Sequence, residues 1–459
     1  MKRVNKFLKA ALIISIASTI CSTELSAQAK KLTDLYTNFE TLPGYPTIKI
    51  EPTIIENSAL YIDIVKDHKA MADGKSDDSA ALQSAINAAT ADKNGGVVYL
   101  PKGEYLLQNI VLKSNVHLHI EAGTKIYLPS PEGKGNNFLF GMGYKGSPLI
   151  DNVVIKGVNG RFSIHLAEGV KAPRTFILQN VHNFLISDVD VYDHKIEYPI
   201  ISLICNYDKD EEIFGPTDGV IKNASSFNCH YGYGLVQIWT AKRVFFENLF
   251  SQGGVTLRFE TGANFNNNNQ FGGAFDCRGL NIRGENGNST VMVSPHALHN
   301  GIVQIKDVYS EASGFGARIE GGYVAKGYKA ADGVRLTDGT YTKGGYIENV
   351  TSTFGRHAQL KSKHFYYMPE SLLKEVGENT YKTIYEPSPS IAPVLCDINF
   401  DFGCEGEIVG IGFTELEKAQ KRMPKCFMNG QRFVVMESIN SYKLPAGENQ
   451  KVGQKGSKK

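Results

Sequence analysis

A short pattern recurs between about Val97 and Leu360: a β-branched or aromatic strand, followed by Asn, Asp or Gly. It is seen in NVVIKGVNG, NFLISDVDVYD, GVIKNASSFN, RVFFENLFSQ, GLNIRGENG, IVQIKDVYS and YIENVTSTF. Repeats of about 20–50 residues are typical of solenoids, in which each unit buries its apolar face by stacking on its neighbours. Because these units are strands and turns, the sequence predicts an all-β fold, a right-handed, single-stranded parallel β-helix.

The chain is long enough for one large domain, with 459 residues of which 42% are hydrophobic. A stacked coil can extend one core along its axis, so it is not limited to the size of an ordinary single core. The 46 glycines fall mostly between the strand segments, where turns require positive φ angles. We therefore expect a single solenoid.

The N-terminus has the three parts of a signal peptide. MKRVNKFLKA supplies the basic part, ALIISIAST the short apolar part, and Ala27-Gln28-Ala29 a cleavage site of small residues. We predict that residues 1–29 are removed near Ala29 and that the protein is secreted or periplasmic. The remaining boundaries that we predict are a leader at 30–70, a β-helix catalytic domain at 71–446 with a short helical insertion near 369–378, and a basic, disordered tail at 447–459.

A single amphipathic helix is predicted within the segment Ala72–Ala89, where Ser76 or Asp77 can cap it. We expect this helix to plug the open end of the solenoid, which would otherwise expose strand edges and core side chains. Asp73, Asp77 and Asp78 are then a solvated helix start. The apolar face of the helix is formed by Ala81, Leu82, Ala85, Ile86 and Ala89.

The order of these segments resembles the start of the pectate-lyase-like fold. ADGKSDD precedes the helix, and GGVVYLPKGEYLL follows it. The resemblance covers roughly residues 70–130, and it implies the fold more strongly than any reaction.

Charge argues against nucleic acid as a partner. Removal of the signal takes away four Lys/Arg residues and one Glu, which changes the formal charge from +2 to −1. Any preference for an anion must therefore come from a local patch. Guanidinium groups suit sulfate or carboxylate oxygens on a polysaccharide. The segment 243–356 carries Arg243, Arg258, Arg278, Arg283, Arg318, Arg335 and Arg356.

Alternation of side chains along four strands separates core positions from outward positions. In LVQIWT, TLRFETG, VMVSPH and ARIEGG, the apolar residues fit the interior. Polar and charged side chains then gather on one outer sheet face, the natural groove of a β-helix. This outward row contains Gln237 and Trp239, Arg258 and Glu260, Ser294 and His296, and Arg318 and Glu320.

Two coils separate Glu260 from Glu320 in this row. With coils about 4.8 Å apart, their backbones are about 9.6 Å apart. Inverting glycosidases hold their acid and base carboxyl groups about 6.5–9.5 Å apart, which leaves room for the attacking water. The pair is compatible with inversion, although Arg258–Glu260 and Arg318–Glu320 could also be plain surface ion pairs.

The row resembles that of the iota-carrageenases, exported β-helical hydrolases of a sulfated galactan. In that family a Gln stands one coil before a catalytic Glu, and a His follows on the same sheet. The matching residues here are Gln237, Glu260 and His296. The resemblance implies that Glu260 is the general acid and that Gln237 and His296 position water or an ion. The predicted substrate-binding residues are Arg258, Arg318, Trp239, Arg243 and Arg278.

One position departs from the family pattern. The family reads Glu-x-Asp, with the Asp as general base, whereas this chain has Glu260-Thr261-Gly262. We predict Glu320 as the relocated base, with Asp276 as the second candidate. A protein that binds sugar without cleaving it is the remaining interpretation of the missing carboxylate.

Other chemistries stay open to different degrees. The sequence motifs of galacturonan hydrolases are not found at matching positions of this chain. The clustered acidic residues that a calcium-dependent pectate lyase needs do not occur on the central coils. Lys242, Arg258 or Arg318 would serve a polysaccharide lyase acting on a uronate by β-elimination. We expect no required cofactor and no catalytic metal. A structural calcium or other ion remains compatible with the acidic loop of Asp208, Asp210, Glu211 and Glu212.

The sequence thus predicts a secreted glycoside hydrolase that cleaves an iota-carrageenan-like galactan with inversion. Its partner would be an anionic polysaccharide, with no nucleic acid and no membrane after signal cleavage. The polar run Asn264–Gln270 is predicted to be a loop beside the substrate cleft.

Overall fold

The computed structural model describes residues 60–131, 137–144, 146–168, 173–207, 214–368, 370–381, 383–397, 402–413, 425–428 and 431–436. The predicted signal peptide, most of the leader, the acidic loop at 208–212 and the basic tail lie outside the described residues. Within the described residues, no helix has the length and apolar character needed to cross a membrane.

Short strands dominate the chain and helices are few. The helices are α1 Ile64–His68, α2 Ser79–Ala91, α3 Asn264–Asn269 and α4 Glu370–Leu373, with a 3₁₀ helix at Ser362–Tyr367. The strands of the first half are β1 Tyr61–Asp63, β2 Asp73–Asp77, β3 Gly96–Leu100, β4 Glu104–Leu106, β5 Ile110–Leu112, β6 Val116–Glu121, β7 Lys125–Leu128, β8 Phe138–Met142, β9 Ile150–Val158, β10 Phe162–Leu166, β11 Arg174–Leu178, β12 Val181–Tyr192, β13 Ile201–Leu203 and β14 Thr217–Ile238. The later strands are β15 Ala241–Glu260, β16 Ala274–Phe275, β17 Cys277–Glu285, β18 Ser289–Ser294, β19 His299–Asn300, β20 Val303–Glu311, β21 Phe315–Ile319, β22 Thr340–Tyr341, β23 Tyr346–Thr353, β24 Ala358–Lys361, β25 Asn379–Tyr381, β26 Ile384–Ser388, β27 Ala392–Asp397, β28 Gly403–Ile411, β29 Lys425–Met428 and β30 Gln431–Met436.

The strands stack in parallel ladders, which confirms the predicted β-helix. One ladder runs through β1, β3, β6 and β9 into β12, and a second runs through β2, β4, β7 and β10. The third, which we call the site ladder, runs through β5, β8, β11, β13, the last parts of β14 and β15, β18, β21 and β27. Each coil therefore contributes one strand to the site ladder.

The recurring Asn of the sequence pattern has two functions at the turns. Asn223, Asn248 and Asn281 all adopt positive φ angles near 50°, which Asn tolerates better than most residues. Their side chains also bond from coil to coil, because Asn223 donates to Asp188, Asn248 to Asn223, and Asn281 to Asn248. The Asn at each turn thus bends the chain and ties successive coils together.

Helix α2 packs its apolar face against the first coils, as the amphipathic pattern predicts. Leu82, Ala85, Ile86 and Ala89 are fully buried. The predicted start was too early, because residues Asp73–Asp77 form strand β2 and the N-cap is Asp78. The prediction of a solvated Asp78 was also wrong. Its carboxylate is buried and accepts hydrogen bonds from the backbone amides of Met71 and Ala72.

The segment from Ala358 to Ser388 leaves the coil and forms a small separate layer, which we call the roof. It contains β24, the 3₁₀ helix, α4 and the antiparallel strands β25 and β26. Its apolar residues pack on the outer face of the site ladder, where Phe315 and Leu395 belong to the same buried cluster as Leu360 and Phe365. The predicted insertion at 369–378 contains only α4, a small part of this layer.

Candidate active site

The strand register assembles the predicted row on the site ladder. Gln237 lies opposite Arg258, Arg258 opposite Met292, and Met292 opposite Arg318. Glu260 lies opposite Ser294. The backbone amide of Glu320 donates to the carbonyl of Val293, the neighbour of Ser294, at 2.8 Å. Glu260 and Glu320 are therefore two coils apart, about 9.6 Å between backbones at the usual coil spacing.

The row is a covered site, not an open groove. Arg318 and Glu320 have residue exposures of only 3% and 6%. The roof provides the cover, since the Lys363 amine lies 3.5 Å from the Glu320 carboxylate. Glu260 is at the accessible edge, with 19% of its side chain exposed. Substrate can therefore reach Glu260 more readily than Glu320 in this arrangement.

Glu260 sits between a cation and an imidazole. The Arg258 guanidinium forms an ion pair with its Oε2, and His296 Nε2 lies 3.2 Å from its Oε1. Burial alone would raise the pKa of Glu260, but the charge of Arg258 and the hydrogen bond from His296 outweigh burial and lower it well below the usual value. Glu260 is therefore a carboxylate at neutral pH and must gain a proton before it can act as an acid.

Glu320 is held even more tightly. Arg318 pairs with its carboxylate, and Arg318 in turn donates to the side-chain oxygen of Asn288. Burial would raise the pKa of Glu320, but Arg318 and Lys363 lower it to about 2. Glu320 is ionised at neutral pH, as a general base must be, although its two cationic partners weaken it as a proton acceptor.

The His296 ring fills the space beside Gly262. A Cβ atom at position 262 would lie only 2.7 Å from Cε1 and Nε2 of His296. The other edge of the ring is held by Tyr328, whose hydroxyl lies 2.6 Å from Nδ1. The absence of a carboxylate at 262 is thus coupled to the position of His296, which occupies the volume that a side chain there would need.

Gln237 supports the acid through the backbone. Its side-chain amide donates to the carbonyl oxygen of Glu260 at 2.8 Å and is buried. This bond fixes the end of β15, from which the Glu260 side chain projects. In this structure Gln237 acts on Glu260 through the main chain.

Trp239 lies on the same outer face, at the side of a small apolar cluster. It packs against Phe138, Ile177 and Ile204, and its ring centroid is 6.2 Å from that of Tyr198. The Arg174 guanidinium stacks over Tyr198 at 4.7 Å. Aromatic faces with an arginine at their side are suited to a sugar ring that carries an anionic group.

Two predicted binding residues do not join the row. Arg243 forms an ion pair with Asp218, which also contacts His182, near the start of β15. Arg278 lies opposite Phe245 on the first ladder and donates to the carbonyl of Cys277. Asp276, the second candidate for the base, also lies outside the row. Its charge acts on Arg243.

Five side chains around the row escaped prediction from the sequence. Lys361 stacks its amine 4.9 Å over the ring of Tyr231, which lies beneath the roof. The loop at 321–339 folds back over His296, and the amide of Tyr323 donates to its carbonyl. The only available signal was the interruption of the coil pattern by the long segments 321–339 and 354–391. The five residues are Tyr231, Tyr323, Tyr328, Lys361 and Lys363.

Cations outnumber carboxylates in the site. Arg258, Arg318 and Lys363 have carboxylate partners, whereas Lys361 has none within ion-pair distance among the described residues. Burial first, and the neighbouring Lys363, Arg318 and Arg258 next, lower the pKa of Lys361 to about 8. An anion at this point would relieve the excess charge. The described part of the chain contains no cluster of three or more His, Cys, Asp or Glu side chains suited to a metal ion.

Comparisons with known proteins show which proteins this chain resembles. Residues 62–279 match a family model described as rhamnogalacturonase A/epimerase, pectate lyase-like. The chain is 33% identical to an iota-carrageenase of Alteromonas macleodii over 296 residues, which cover 64% of this chain and 58% of that protein. It is 36% identical to an iota-carrageenase of Zobellia galactanivorans over 264 residues, which cover 57% and 53%. The chain thus spans just over half the length of these curated relatives.

A solved structure gives the same result for the fold. The chain superposes with a TM-score of 0.73 and 26% identity on a 1,3-α-1,4-β-D-galactose-4-sulfate-3,6-anhydro-D-galactose-2-sulfate 4-galactohydrolase, covering 83% of this chain and 91% of that one. Fold and row together define a pectate-lyase-like β-helix protein with paired carboxylates on one outer face. Within that class, the predicted resemblance to the iota-carrageenases is confirmed in both sequence and fold.

Proposed function

We propose that this protein is a secreted glycoside hydrolase that cleaves a sulfated galactan of the iota-carrageenan type with inversion. The observation that carries the proposal is the pair Glu260 and Glu320, two coils apart on one covered face of the site ladder. Their backbone spacing of about 9.6 Å is just above the 6.5–9.5 Å that separates the two carboxyl groups of inverting glycosidases. Similarity to two iota-carrageenases supports the choice of substrate. Secretion rests on residues 1–29, outside the described residues.

The charge of the site supports an anionic substrate. Four cations, two of them on the roof, surround two carboxylates, and Lys361 is left with no carboxylate partner among the described residues. Sulfate oxygens can accept the hydrogen bonds of Lys and Arg side chains. We assign Lys361 to a sulfate group of the bound chain, while Arg258 and Arg318 mainly orient Glu260 and Glu320.

In the proposed reaction, Glu260 protonates the glycosidic oxygen, and the bond from that oxygen to the anomeric carbon breaks. Water adds to the anomeric carbon from the opposite face of the ring and loses its proton to the base. The products are two new chain ends. Glu260 loses one proton and the base gains one, so the total number of protons on the enzyme does not change. The base must lie across the ring from Glu260, which excludes His296 because it touches Glu260. Glu320 remains our candidate.

The first experiment is to incubate the mature protein with iota-, kappa- and lambda-carrageenan, alginate and polygalacturonate. Reducing ends and ultraviolet absorbance are followed together, because β-elimination creates an absorbing unsaturated product and hydrolysis does not. We expect reducing ends from iota-carrageenan without absorbance. Absorbance on a uronate polymer would establish a lyase, and no product from any polymer would favour a sugar-binding protein without catalysis.

Two variants test the assignment of the carboxylates. We expect Glu260→Gln and Glu320→Gln each to lower kcat by at least a hundredfold with the fold retained, as judged by circular dichroism. Glu311→Gln, an exposed residue at the end of β20, is the matched control. Proton NMR of the first product formed would show the inverted anomer. Full activity of Glu260→Gln would exclude the proposed mechanism.

A further inference from the structure

Tyr328 holds the side of the His296 ring that faces away from Glu260. Its hydroxyl lies 2.6 Å from His296 Nδ1 and 3.2 Å from the carbonyl oxygen of Gly262. On the opposite side of the His296 ring, Nε2 lies 3.2 Å from Glu260 Oε1. A continuous chain of hydrogen-bonding atoms therefore connects the Gly262 carbonyl, Tyr328, His296 and Glu260.

The number of protons available limits how these hydrogen bonds can be oriented. The Gly262 carbonyl can only accept, and Tyr328 has one hydroxyl proton to donate. Burial and the charge of Glu260 raise the pKa of Tyr328, so the hydroxyl keeps its proton at neutral pH. If Tyr328 donates to Gly262, its oxygen accepts from Nδ1–H, and Nε2 of the same ring can exchange a proton with Glu260. If Tyr328 donates to Nδ1 instead, the Gly262 carbonyl loses this donor. The only ring proton is then on Nε2, which faces the ionised carboxylate of Glu260.

We propose that Tyr328 is a positioning residue that keeps the Nδ1 atom of His296 protonated, so that Nε2 and Glu260 share the proton delivered to the leaving oxygen. The inference rests on the proposed function of Glu260 as the acid. The proton resides on the imidazolium while Glu260 is ionised, and moves to Oε1 when the glycosidic oxygen arrives. After the bond breaks, the pair has lost one proton to the new hydroxyl group and regains one from solvent.

This arrangement explains how a carboxylate with a lowered pKa can act as an acid. Glu260 and His296 are joined by one hydrogen bond, so the relevant quantity is the number of protons that the two groups hold together. The pair must hold its proton for activity, so activity falls where rising pH removes that proton. A Tyr328 oxygen that accepts from Nδ1–H stabilises the protonated pair and moves this fall to higher pH.

Other charged groups face the pair, and one of them titrates near neutral pH. Glu320, with a pKa of about 2, and the two arginines keep their charges, whereas the pKa of Lys361 is about 8. Burial also lowers the pKa of Lys363, which remains paired with Glu320. Comparisons of pH profiles should therefore be made in a Lys361→Arg background. The titratable and charged groups that act on the pair are Tyr231, Arg258, Arg318, Glu320, Tyr323, Tyr328, Tyr341, Lys361 and Lys363.

The decisive variant is Tyr328→Phe, which removes only the hydroxyl oxygen. We expect the alkaline limb of kcat/KM to move down by about one pH unit, with a smaller change of KM. Tyr309→Phe is the matched control, because this tyrosine is exposed and lies on β20, outside the site ladder. The alkaline limb of this variant should keep the position seen in the parent. A purely structural role of Tyr328 predicts a loss of kcat that is equal at every pH, and that result would overturn the proposal.

A second measurement does not depend on catalysis. In protein labelled with ¹⁵N-histidine, the nitrogen shifts of His296, assigned with His296→Gln, report which ring nitrogens carry protons. We expect Nδ1 to be protonated in the parent and the proton to redistribute in Tyr328→Phe. An unprotonated Nδ1 in the parent would contradict the proposal. If the protein cleaves no polysaccharide but Nδ1 is protonated, the proposed function fails while the assigned tautomer stands.

Discussion

At the scale of single residues, the departure at Gly262 is part of a repacked site. Insertion of any side chain at 262 would collide with the His296 ring, which is pinned by Tyr328 on its far side. A carboxylate cannot be restored at 262 without moving the ring that contacts Glu260. The change from Glu-x-Asp to Glu260-Thr261-Gly262 therefore affects the proton supply of the acid as well as the identity of the base.

We predict that Gly262→Ala lowers kcat by about ten- to a hundredfold with little change of KM, because a shift of catalytic groups by about 1 Å can have an effect of this size. Gly262→Asp should lose activity in the same way, with no gain from its carboxylate. Kinetics on iota-carrageenan oligosaccharides would measure both. The control is Gly327→Ala, where an added Cβ meets no atom within 4 Å. Wild-type kcat in Gly262→Ala would contradict the steric argument.

At the scale of elements, the strands and α2 were predictable because their patterns are local. Alternation placed Glu260 and Arg318 on one face, and the apolar spacing of α2 gave the correct buried positions. The roof was not predictable, since its position depends on an apolar cluster of Leu360 with the outward Leu395 that is formed only in the folded chain. For the same reason, no sequence pattern indicates that Lys361 reaches the site.

Lys361 on the roof should govern affinity for the anionic chain more than turnover. We predict that Lys361→Met raises KM for iota-carrageenan by about five- to tenfold and changes kcat less, because one charge-assisted hydrogen bond is lost. The effect should shrink with substrates that carry fewer sulfate groups. Lys343→Met, which changes an exposed lysine, is the control. Equal loss on sulfated and less sulfated galactans would show that Lys361 does not contact sulfate.

The same lysine, Lys361, should destabilise the protein at neutral pH when no substrate is added. Its pKa is about 8 in the folded state against 10.5 as the ordinary value, so the unfolded state binds more protons between these pH values. Stability of the parent should therefore rise as pH increases from about 8 to 10.5. Lys361→Met should unfold at a higher temperature than the parent at pH 7, and the difference should diminish towards pH 10.5. Thermal unfolding across this pH range is the measurement, and a lower Tm for the variant at pH 7 would contradict it.

At the scale of the whole molecule, the β-helix separates stability at its end from chemistry in its middle. Each coil contacts mainly its two neighbours, so a defect in one coil is felt chiefly by the adjacent coils. Helix α2 covers the first coils, and its side-chain amide at Gln83 bonds both ways to the backbone of Val111 in β5. Glu260 on β15 lies five coil steps from β5 along the site ladder, or about 24 Å at the usual spacing.

We therefore predict that Ile86→Ala lowers the free energy of unfolding by about 2–4 kcal/mol, because this side chain is fully buried between α2 and the first coils. At temperatures where the protein stays folded, kcat and KM should match the parent, since Glu260 is five coils away. Ser84→Ala, at an exposed position of the same helix, should change stability by less than about 0.5 kcal/mol. Hydrogen exchange should reveal faster exchange in β3 to β6 than in β14 to β18. Uniform loss of protection along the whole solenoid would mean that the coils unfold as one cooperative unit and that the helix stabilises the site directly.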